Sequence, residues 1–224
     1  MFGRIASRYD LTNRVLSAGI DIYWRFMLVR AVRTAKPHFI LDLATGSGDV
    51  AFALSRGLSA GEILGMDFCA PMLVEAEAKK RDRFPHVSFR QGDALALDLP
   101  EQSIDAVTIA FGLRNMADRA LCLAQILRVL KPGGSLFVLE FSQPWPWVRP
   151  FYNFHLRHIV PAVAGLLTGD KGAYDYLGTS IGGFPGRAAL SEEIQSAGFT
   201  GVRATAMTLG IVALHSARRA PAVS

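Results

Sequence analysis

Short apolar runs alternate with longer amphipathic stretches through the middle of the chain. In the longer stretches apolar residues recur every three or four positions, which is typical of helices, whereas the short runs are typical of buried strands. This alternation predicts β-α-β units around a parallel sheet. The run Lys131–Gly134, which contains Pro and Gly, is expected to end the last helix of this region. The predicted strands are Phe39–Leu43, Ile63–Met66, Val87–Arg90, Ala106–Ala110 and Ser135–Glu140. The predicted helices are Val50–Arg56, Pro71–Arg83 and Ala117–Leu130.

Further helical patterns flank this region on both sides. Ile5–Arg33 predicts helices interrupted near Ser17–Gly19. Trp147–Leu167 predicts an aromatic-rich helix broken at Pro150 and Pro161. The tail predicts one helix and two strands, at Arg187–Ala197, Val202–Met207 and Ile211–His215.

The composition indicates one globular domain with appended helices. Half of the 224 residues are hydrophobic and 19% are charged, which excludes a disordered chain. The formal net charge of +5 favours an anionic partner. Cys69 and Cys122 have no neighbouring Cys or His at metal-ligand spacing, so we expect reduced thiols and a cytoplasmic location. We find no signal-peptide pattern and no apolar run of about 18 residues, the length of a membrane-spanning helix.

The segment Leu41–Ala51 carries the clearest binding signal. An apolar strand ends in Asp42 and leads into Gly46, Ser47 and Gly48 before a helix. Small residues let a ligand approach the backbone closely, and the first turn of a helix offers free N–H groups. We therefore predict that Asp42 and the three turn residues bind a cofactor, although a purely structural turn would have the same sequence.

Two further carboxylates follow the next two predicted strands. Asp67 lies about 20 residues beyond Gly48, where an acidic side chain accepts hydrogen bonds from ribose hydroxyls, although a helix N-cap would look the same. Asp93, followed by Ala94, lies at the end of the third strand, where its carboxylate can receive the exocyclic amine of adenine. Since the carboxyl ends of parallel strands meet in one crevice, these loops predict one nucleotide site.

This site suits either a dinucleotide or S-adenosylmethionine. The turn lacks the G-x-G-x-x-G form that a pyrophosphate favours. Asp93 and the Leu130–Gly134 run before a strand instead resemble class I S-adenosylmethionine-dependent methyltransferases. We therefore favour a methyltransferase over a dehydrogenase.

Nearly the whole chain is similar to one family, the C-methyltransferases of ubiquinone and menaquinone biosynthesis. The first similar segment is Tyr9–Asn13, continued by Ser17, Gly19 and Trp24, and the later ones are Phe111–Asn115, Arg128–Ser142, Tyr174–Pro185 and Val212–His215. The chain departs from the family pattern at Thr12, Asp21, Ser47 and Ala110. Asp21 stands where the family often has a histidine, which argues against an acid or base role at that position.

The resemblance implies methylation of a ring carbon of a reduced polyprenyl quinone, with S-adenosylmethionine as the methyl donor. We expect demethylmenaquinol as the acceptor. The alternatives are the benzoquinol step of ubiquinone biosynthesis and another lipid or aromatic acceptor. An inactive scaffold is a further alternative, but the intact glycine turn, Asp67 and Asp93 argue against it.

Arg114 and Asn115 are the predicted catalytic residues. They follow the fourth strand, at the edge where the acceptor and the cofactor should meet. We assign Arg114 to stabilising a quinol phenolate and Asn115 to orienting the quinol, because arginine is too basic to accept a proton readily. The alternative is that both residues only cap the loop before Ala117.

Two segments are assigned to a lid and to the substrate side. Tyr9, Asp10 and Asn13 fall within about one helical turn, and Tyr9 and Asn13 share a helix face, so we predict a lid over the cofactor. The alternative is that this face only packs against the core. The family segment that holds Tyr174 and Tyr176 is assigned to the substrate side.

The resemblance implies an α/β fold of the class I methyltransferase type, a Rossmann-like mixed sheet of seven strands with helices on both faces. We expect a single domain over residues 1–224, in which Trp24 belongs to the core. Its parts are a helical lid at 1–35, a nucleotide-binding core at 36–142, a substrate-side helical insertion at 143–186, and a C-terminal helix and strands at 187–224.

The aromatic segment Phe151–Leu167, with Trp145 and Trp147 before it, fits either an isoprenoid tunnel or a lipid surface. We therefore expect a polyprenyl quinol substrate and peripheral contact with the inner face of the membrane. His155 and His158 lack further ligands nearby, so we expect no metal. No aromatic-basic pattern typical of RNA-binding modules occurs, so no nucleic-acid partner is expected, and a homo-oligomer stays open.

Overall fold

The computed structural model describes residues 17, 19–58, 61–159 and 180–222. The strands are β1 Phe39–Leu43, β2 Glu62–Asp67, β3 Val87–Gln91, β4 Ile104–Ala110, β5 Leu130–Phe141, β6 Thr200–Met207 and β7 Val212–Arg218. They form a seven-stranded sheet in the order β3-β2-β1-β4-β5-β7-β6. β1 to β5 run parallel, whereas β7 pairs antiparallel with both β5 and β6. The predicted mixed sheet is therefore confirmed.

Helices connect the parallel strands and extend the fold at both ends. The α-helices are α1 Ile20–Ala35, α2 Asp49–Gly57, α3 Ala70–Lys80, α4 Arg119–Val129, α5 Arg149–Phe154 and α6 Arg187–Ser196. Short 3₁₀ turns lie at Arg81–Arg83, Leu113–Asn115 and Thr208–Gly210, and a π-helical turn lies at His155–Ile159. α1 begins directly after Gly19, its N-cap, whose φ of 78° lies in the left-handed region. The helical segment predicted before Ser17 lies outside the described residues, so the interruption between two helices stays a prediction.

The helices cover both faces of the sheet. On one face α1 and α2 bury Trp24, Leu28 and Phe52. On the other face α4 and α6 bury Ile126 and Ile194. Each such side chain stabilises the fold by about 1.5–3 kcal/mol relative to leaving it in water. The predicted layering is therefore confirmed, and Trp24 belongs to the core.

The order of the strands opens a crevice. β1 lies between β2 and β4. The chain leaves β1 into α2 on one face of the sheet, but leaves β4 into α4 on the other face. Where neighbouring strands send their connections to opposite faces, their loops separate and a ligand can enter at the carboxyl ends.

The junction between α4 and β5 differs from the prediction. Leu130 was expected to be the last helical residue, but α4 ends one residue earlier and Leu130 pairs with Ile104 in the sheet. The next pair is Ala106 with Ser135, so the residues between bulge out of β5. Nη1 of Arg219 donates hydrogen bonds to the carbonyls of Leu127 and Arg128, in the last turn of α4, and to that of Leu130. These bonds satisfy carbonyl groups that another turn of helix would have paired.

The segment after β5 also differs from the prediction. Pro150 lies in the first turn of α5, where its missing N–H costs no helical hydrogen bond, so the expectation that it breaks a helix is wrong. Pro161 lies outside the described residues. None of the helices in the described part of the chain is long and apolar enough to cross a membrane.

Candidate active site

A cleft of about 890 Å³ opens at the carboxyl ends of the parallel strands. The loops after β1, β2, β3 and β4 line it, together with side chains of α1 and α5. Most of the residues that the sequence assigns to the cofactor and to catalysis meet here. Those that line the cleft are Asp42, Gly46, Ser47, Asp67, Asp93, Ala94, Arg114 and Asn115.

The turn after β1 is bent by backbone conformations that favour glycine. Gly46 and Gly48 have φ values of 56° and 84°, in the left-handed region. Gly48 is buried and is absent from the cleft wall, because it faces the ring of Phe89, which a Cβ would approach to 2.7 Å. Gly48 therefore holds the turn against the core, while Gly46 faces the ligand space.

Asp42, in β1, stabilises the same turn through hydrogen bonds. Its side chain is only 1% exposed and accepts hydrogen bonds from Thr45 Oγ1 and Thr108 Oγ1, both at 2.6 Å. Burial raises the pKa of Asp42 to about 6, although the two threonine hydroxyls oppose this by stabilising the anion. Asp42 thus ties β1 to β4 and to the turn, with little of its side chain available to a ligand.

Asp67, at the end of β2, joins two loops of the cleft. Its Oδ2 accepts a hydrogen bond from the N–H of Gly46, and its Oδ1 accepts one from the N–H of Cys69, each at 2.8 Å. A carboxylate oxygen can accept a second hydrogen bond, so the half-buried Asp67 can also receive ligand hydroxyls. The two backbone bonds fix its orientation before any ligand arrives.

Asp93 and Phe68 line the part of the cleft beyond Asp67. Oδ1 of Asp93 accepts the N–H of Leu95 at 2.8 Å, which orients an otherwise exposed carboxylate. Phe68 is 73% exposed and lines the same cleft. The sequence reasoning missed Phe68, whose signal is an aromatic residue directly after the predicted ribose carboxylate. An acceptor and an apolar surface together suit a purine ring.

Arg114 lies in a buried ion pair that the sequence did not predict. Its Nη1 lies 2.7 Å from Glu140 Oε1, and the two side chains are 3% and 0% exposed. The same Nη1 donates to the carbonyl of Phe111 at 2.5 Å, and the guanidinium stacks 5.1 Å from the ring centre of Phe141. The charge of Arg114 is therefore balanced inside the protein. Its neighbour Asn115 is exposed at the cleft wall.

Carboxylates at the ends of β2 and β3 thus lie beside a glycine turn, which is the arrangement that the sequence predicts for binding the ribose and adenine of S-adenosylmethionine. The model of the ubiE/COQ5 methyltransferase family matches residues 1–219. The chain belongs to this family. A demethylmenaquinone methyltransferase of Thermus thermophilus is 44% identical over 216 residues, which cover 96% of this chain and 98% of that protein. A ubiquinone/menaquinone biosynthesis C-methyltransferase UbiE of Syntrophotalea carbinolica is 42% identical over 220 residues, covering 98% and 92%.

Solved structures agree on the fold of this ubiE/COQ5 family member. The S-adenosylmethionine-dependent methyltransferase SibL aligns with a TM-score of 0.69 at 19% identity, over 94% of this chain and 58% of that chain. The methyltransferase CalH in complex with SAH aligns with a TM-score of 0.63 at 20% identity, over 88% and 55%. Fold and family together confirm a methyltransferase that uses S-adenosylmethionine, rather than a dehydrogenase.

The helical segment after β5, which the sequence assigns to the substrate side, supplies residues to the cleft. Tyr152, His155 and Leu156 line the cleft from successive turns of this segment. The hydroxyl of Tyr152 is buried and has no hydrogen-bond partner among the described residues. The sequence analysis included Glu140, the partner of Arg114, only within a segment similar to the family and predicted no role for it. Its role depends on a contact between β5 and the loop after β4.

Asp21, the departure from the family pattern, has a structural role here. It accepts hydrogen bonds from Ser17 and Arg25, and Arg25 also pairs with Asp49 in the first turn of α2. Although burial opposes it, the positive charges of Lys79 and Arg25 hold the pKa of Asp49 below its usual value. These ion pairs tie α1 to α2 beside the cleft.

Several sequence-assigned residues lie outside the described residues. They are Tyr9, Asp10, Asn13, Tyr174 and Tyr176, so the predicted lid and part of the predicted substrate side stay predictions. Among the described residues, no group of three or more His, Cys, Asp or Glu side chains is placed to hold a metal ion.

Replacing Asp42 with Asn should stabilise the protein at high pH. The folded-state pKa lies above the unfolded value, so the buried anion opposes folding above about pH 6, and this penalty is lost as the pH falls toward 4. We expect Asp42→Asn to gain about 1–3 kcal/mol in unfolding free energy at pH 8 and little at pH 4. Urea denaturation at both pH values measures this, with Asp82→Asn at an exposed carboxylate as the control. A gain that is independent of pH would contradict the assignment.

Replacing Asp67 with Ala should weaken cofactor binding. The change removes the acceptor at the end of β2 and releases the N–H of Gly46, so the turn loses its anchor. We expect the affinity for S-adenosylhomocysteine to fall about 10- to 100-fold, as for the loss of charge-assisted hydrogen bonds. Isothermal titration calorimetry measures the affinity, and Asp82→Ala should leave it unchanged. An unchanged affinity in Asp67→Ala would count against a role in ribose binding.

Proposed function

We propose that the protein transfers a methyl group to a ring carbon of a reduced polyprenyl quinone, with demethylmenaquinol as the acceptor. The observation that carries the proposal is the division of the cleft. Its first part holds carboxylates suited to the cofactor, and its second part is apolar around Arg114. The relatives whose names specify demethylmenaquinone or quinone biosynthesis support the same acceptor class.

For methyl transfer the protein mainly has to align the acceptor with the methyl donor and exclude water. S-adenosylmethionine, when bound, supplies an electrophilic methyl group. Asp67 and Asp93 would hold the ribose and adenine ends of the cofactor. Arg114 lies in the acceptor part of the cleft, where it would stabilise negative charge on a quinol oxygen, and Asn115 would orient the ring.

The apolar wall of the cleft supports a lipid acceptor. Phe141, Val148, Phe151 and Leu156 line the cleft, and the ring of Phe141 stacks on Arg114. A naphthoquinol ring with a prenyl chain presents a large apolar surface, and burying it in such a wall is favourable by about 25 cal/mol per Å². The second candidate acceptor is the corresponding benzoquinol of ubiquinone biosynthesis, a pathway that the name of the Syntrophotalea relative includes.

Isotope transfer tests this function. Purified protein, methyl-labelled S-adenosylmethionine and reduced short-chain demethylmenaquinol are incubated together, with the corresponding benzoquinol in parallel, and the quinones are analysed by mass spectrometry. Label in the naphthoquinol ring is the expected result. Label only in the benzoquinol would show that the acceptor is the benzoquinol and not demethylmenaquinol. Label in neither quinol, although the protein binds the cofactor, would overturn the proposal.

Exposed aromatic side chains beside the cleft support peripheral contact with a membrane surface. Trp145 and Trp147 lie with ring centres 6.0 Å apart, and Trp147 and Phe154 are 62% and 59% exposed. The exposed Arg157 follows on the same segment. Aromatic rings with nearby cations are typical of surfaces that rest on anionic headgroups. Such contact would place the cleft near the lipid that holds the quinol.

Removing these aromatic side chains should weaken membrane binding. We expect the double variant Trp147→Ser/Phe154→Ser to sediment less with vesicles of phosphatidylcholine and phosphatidylglycerol than the parent protein does. Val74→Ser, at an exposed apolar residue of α3, is the matched control. Equal sedimentation of the double variant and the parent would contradict the membrane contact.

Arg114 should matter for turnover more than for cofactor binding. Arg114→Met alone would leave Glu140 buried and unpaired, which costs about 3–5 kcal/mol of stability. The double variant Arg114→Met/Glu140→Gln avoids that charge. We expect it to fold, to bind S-adenosylhomocysteine within about twofold of the parent, and to lose about 100-fold in kcat, a size typical of losing a donor to a developing oxyanion. A kcat equal to that of the parent would contradict the role of Arg114.

A further inference from the structure

We infer that the hydroxyl of Tyr152 is a further catalytic group, which donates a hydrogen bond to the ring oxygen of the acceptor beside Arg114. This inference rests on the proposed quinol methylation and assigns a residue to it. The residue belongs to α5, in the segment that follows β5.

The first observation is an unpartnered hydroxyl. The oxygen of Tyr152 is buried and accepts or donates no hydrogen bond among the described residues. Leaving such a group unpaired costs about 1–3 kcal/mol, so native proteins rarely keep one without a use. Tyr152 also lines the cleft, where a ligand oxygen can supply the missing partner.

The second observation is that another unpartnered donor belongs to the same part of the cleft. Nε of Arg114 is likewise buried without a partner among the described residues, although Nη1 of the same side chain is fully used by Glu140 and Phe111. The charges of Arg114 and Glu140 both act on the Tyr152 hydroxyl. Two unsatisfied donors at one apolar wall suit a single acceptor oxygen.

The surroundings keep Tyr152 protonated and therefore able to donate. Burial raises the pKa of its hydroxyl well above the usual value; the charge of Arg114 opposes this rise and that of Glu140 adds to it. A neutral phenol in a site of low polarity is a good hydrogen-bond donor to a developing anion.

The direction of α5 agrees with this role. Tyr152 of α5 and His155 and Leu156 of the π-helical turn that follows it all line the cleft. Phe151, the preceding residue, is 77% exposed but reaches the cleft rim. The hydroxyl thus belongs to a helical segment that lines the ligand space.

The proposed reaction needs such a donor. The quinol hydroxyl first gives its proton to water, so negative charge develops on that oxygen. The ring carbon then forms a bond to the methyl group as the sulfur–methyl bond breaks and the sulfur keeps the electron pair. The hydrogen of that ring carbon finally leaves as a proton while the oxygen regains one, so one proton is released in all. Because Glu140 already balances Arg114, the arginine stabilises that charge less than an unpaired cation would, and the Tyr152 hydroxyl adds a dipole without adding a charge.

The variant Tyr152→Phe tests the inference, since it removes only the hydroxyl. We expect kcat/KM for reduced short-chain demethylmenaquinol to fall about 10- to 100-fold, the size expected for a hydrogen bond to a charged group. The affinity for S-adenosylhomocysteine should stay within about twofold. The melting temperature should be unchanged or higher, because a buried hydroxyl without a partner among the described residues contributes no stability through hydrogen bonding to them.

The matched control is Tyr23→Phe, which removes an exposed hydroxyl on α1 that does not line the cleft. It should leave all three measurements unchanged. A kcat/KM of Tyr152→Phe within twofold of the parent would overturn the inference while leaving quinol methylation intact. A lower melting temperature with loss of cofactor affinity would also overturn it, since the hydroxyl would then be held by the protein itself. A parent protein that methylates neither quinol would overturn the proposed function, and the inference with it.

Discussion

The site depends on one topological constraint, the switch in connection between β1 and β4. Their neighbouring carboxyl ends send the chain to opposite faces of the sheet, so their loops separate and leave a cleft. The two loops still touch at their bases, where a Cβ on Gly112 would come within 2.4 Å of the Cβ of Ala44. The width of the cleft is therefore set by close packing of backbone against a small side chain.

Keeping that geometry requires strained backbone and satisfied polar groups. Ala44 and Phe111, at the ends of β1 and β4, both have positive φ values. Such conformations cost about 1–3 kcal/mol each and persist where surrounding contacts enforce them. Asp42 and Asp67 provide some of those contacts, because each binds two groups from neighbouring elements. These two carboxylates thus help to hold the shape of the cleft.

The two parts of the cleft differ in how they handle charge. In the cofactor part, Asp67 and Asp93 are at least partly accessible and present acceptors. In the acceptor part, Arg114 and Glu140 form a buried pair whose charges cancel, beside apolar and aromatic walls. An apolar region without net charge suits a hydrophobic quinol ring, because the negative charge of the quinol develops only during the reaction.

The sequence alone determined the sheet, the glycine turn and the carboxylates at the ends of β2 and β3, because these follow from local periodicity and from the positions where strands end. The sequence also correctly placed Arg114 at the carboxyl edge of the parallel strands. Only the tertiary structure decided that Glu140 neutralises Arg114, that Gly48 packs on Phe89 instead of lining the cleft, and that Tyr152 lines the cleft. These contacts join residues far apart in the chain, and whether a polar side chain finds a partner depends on what the fold packs against it.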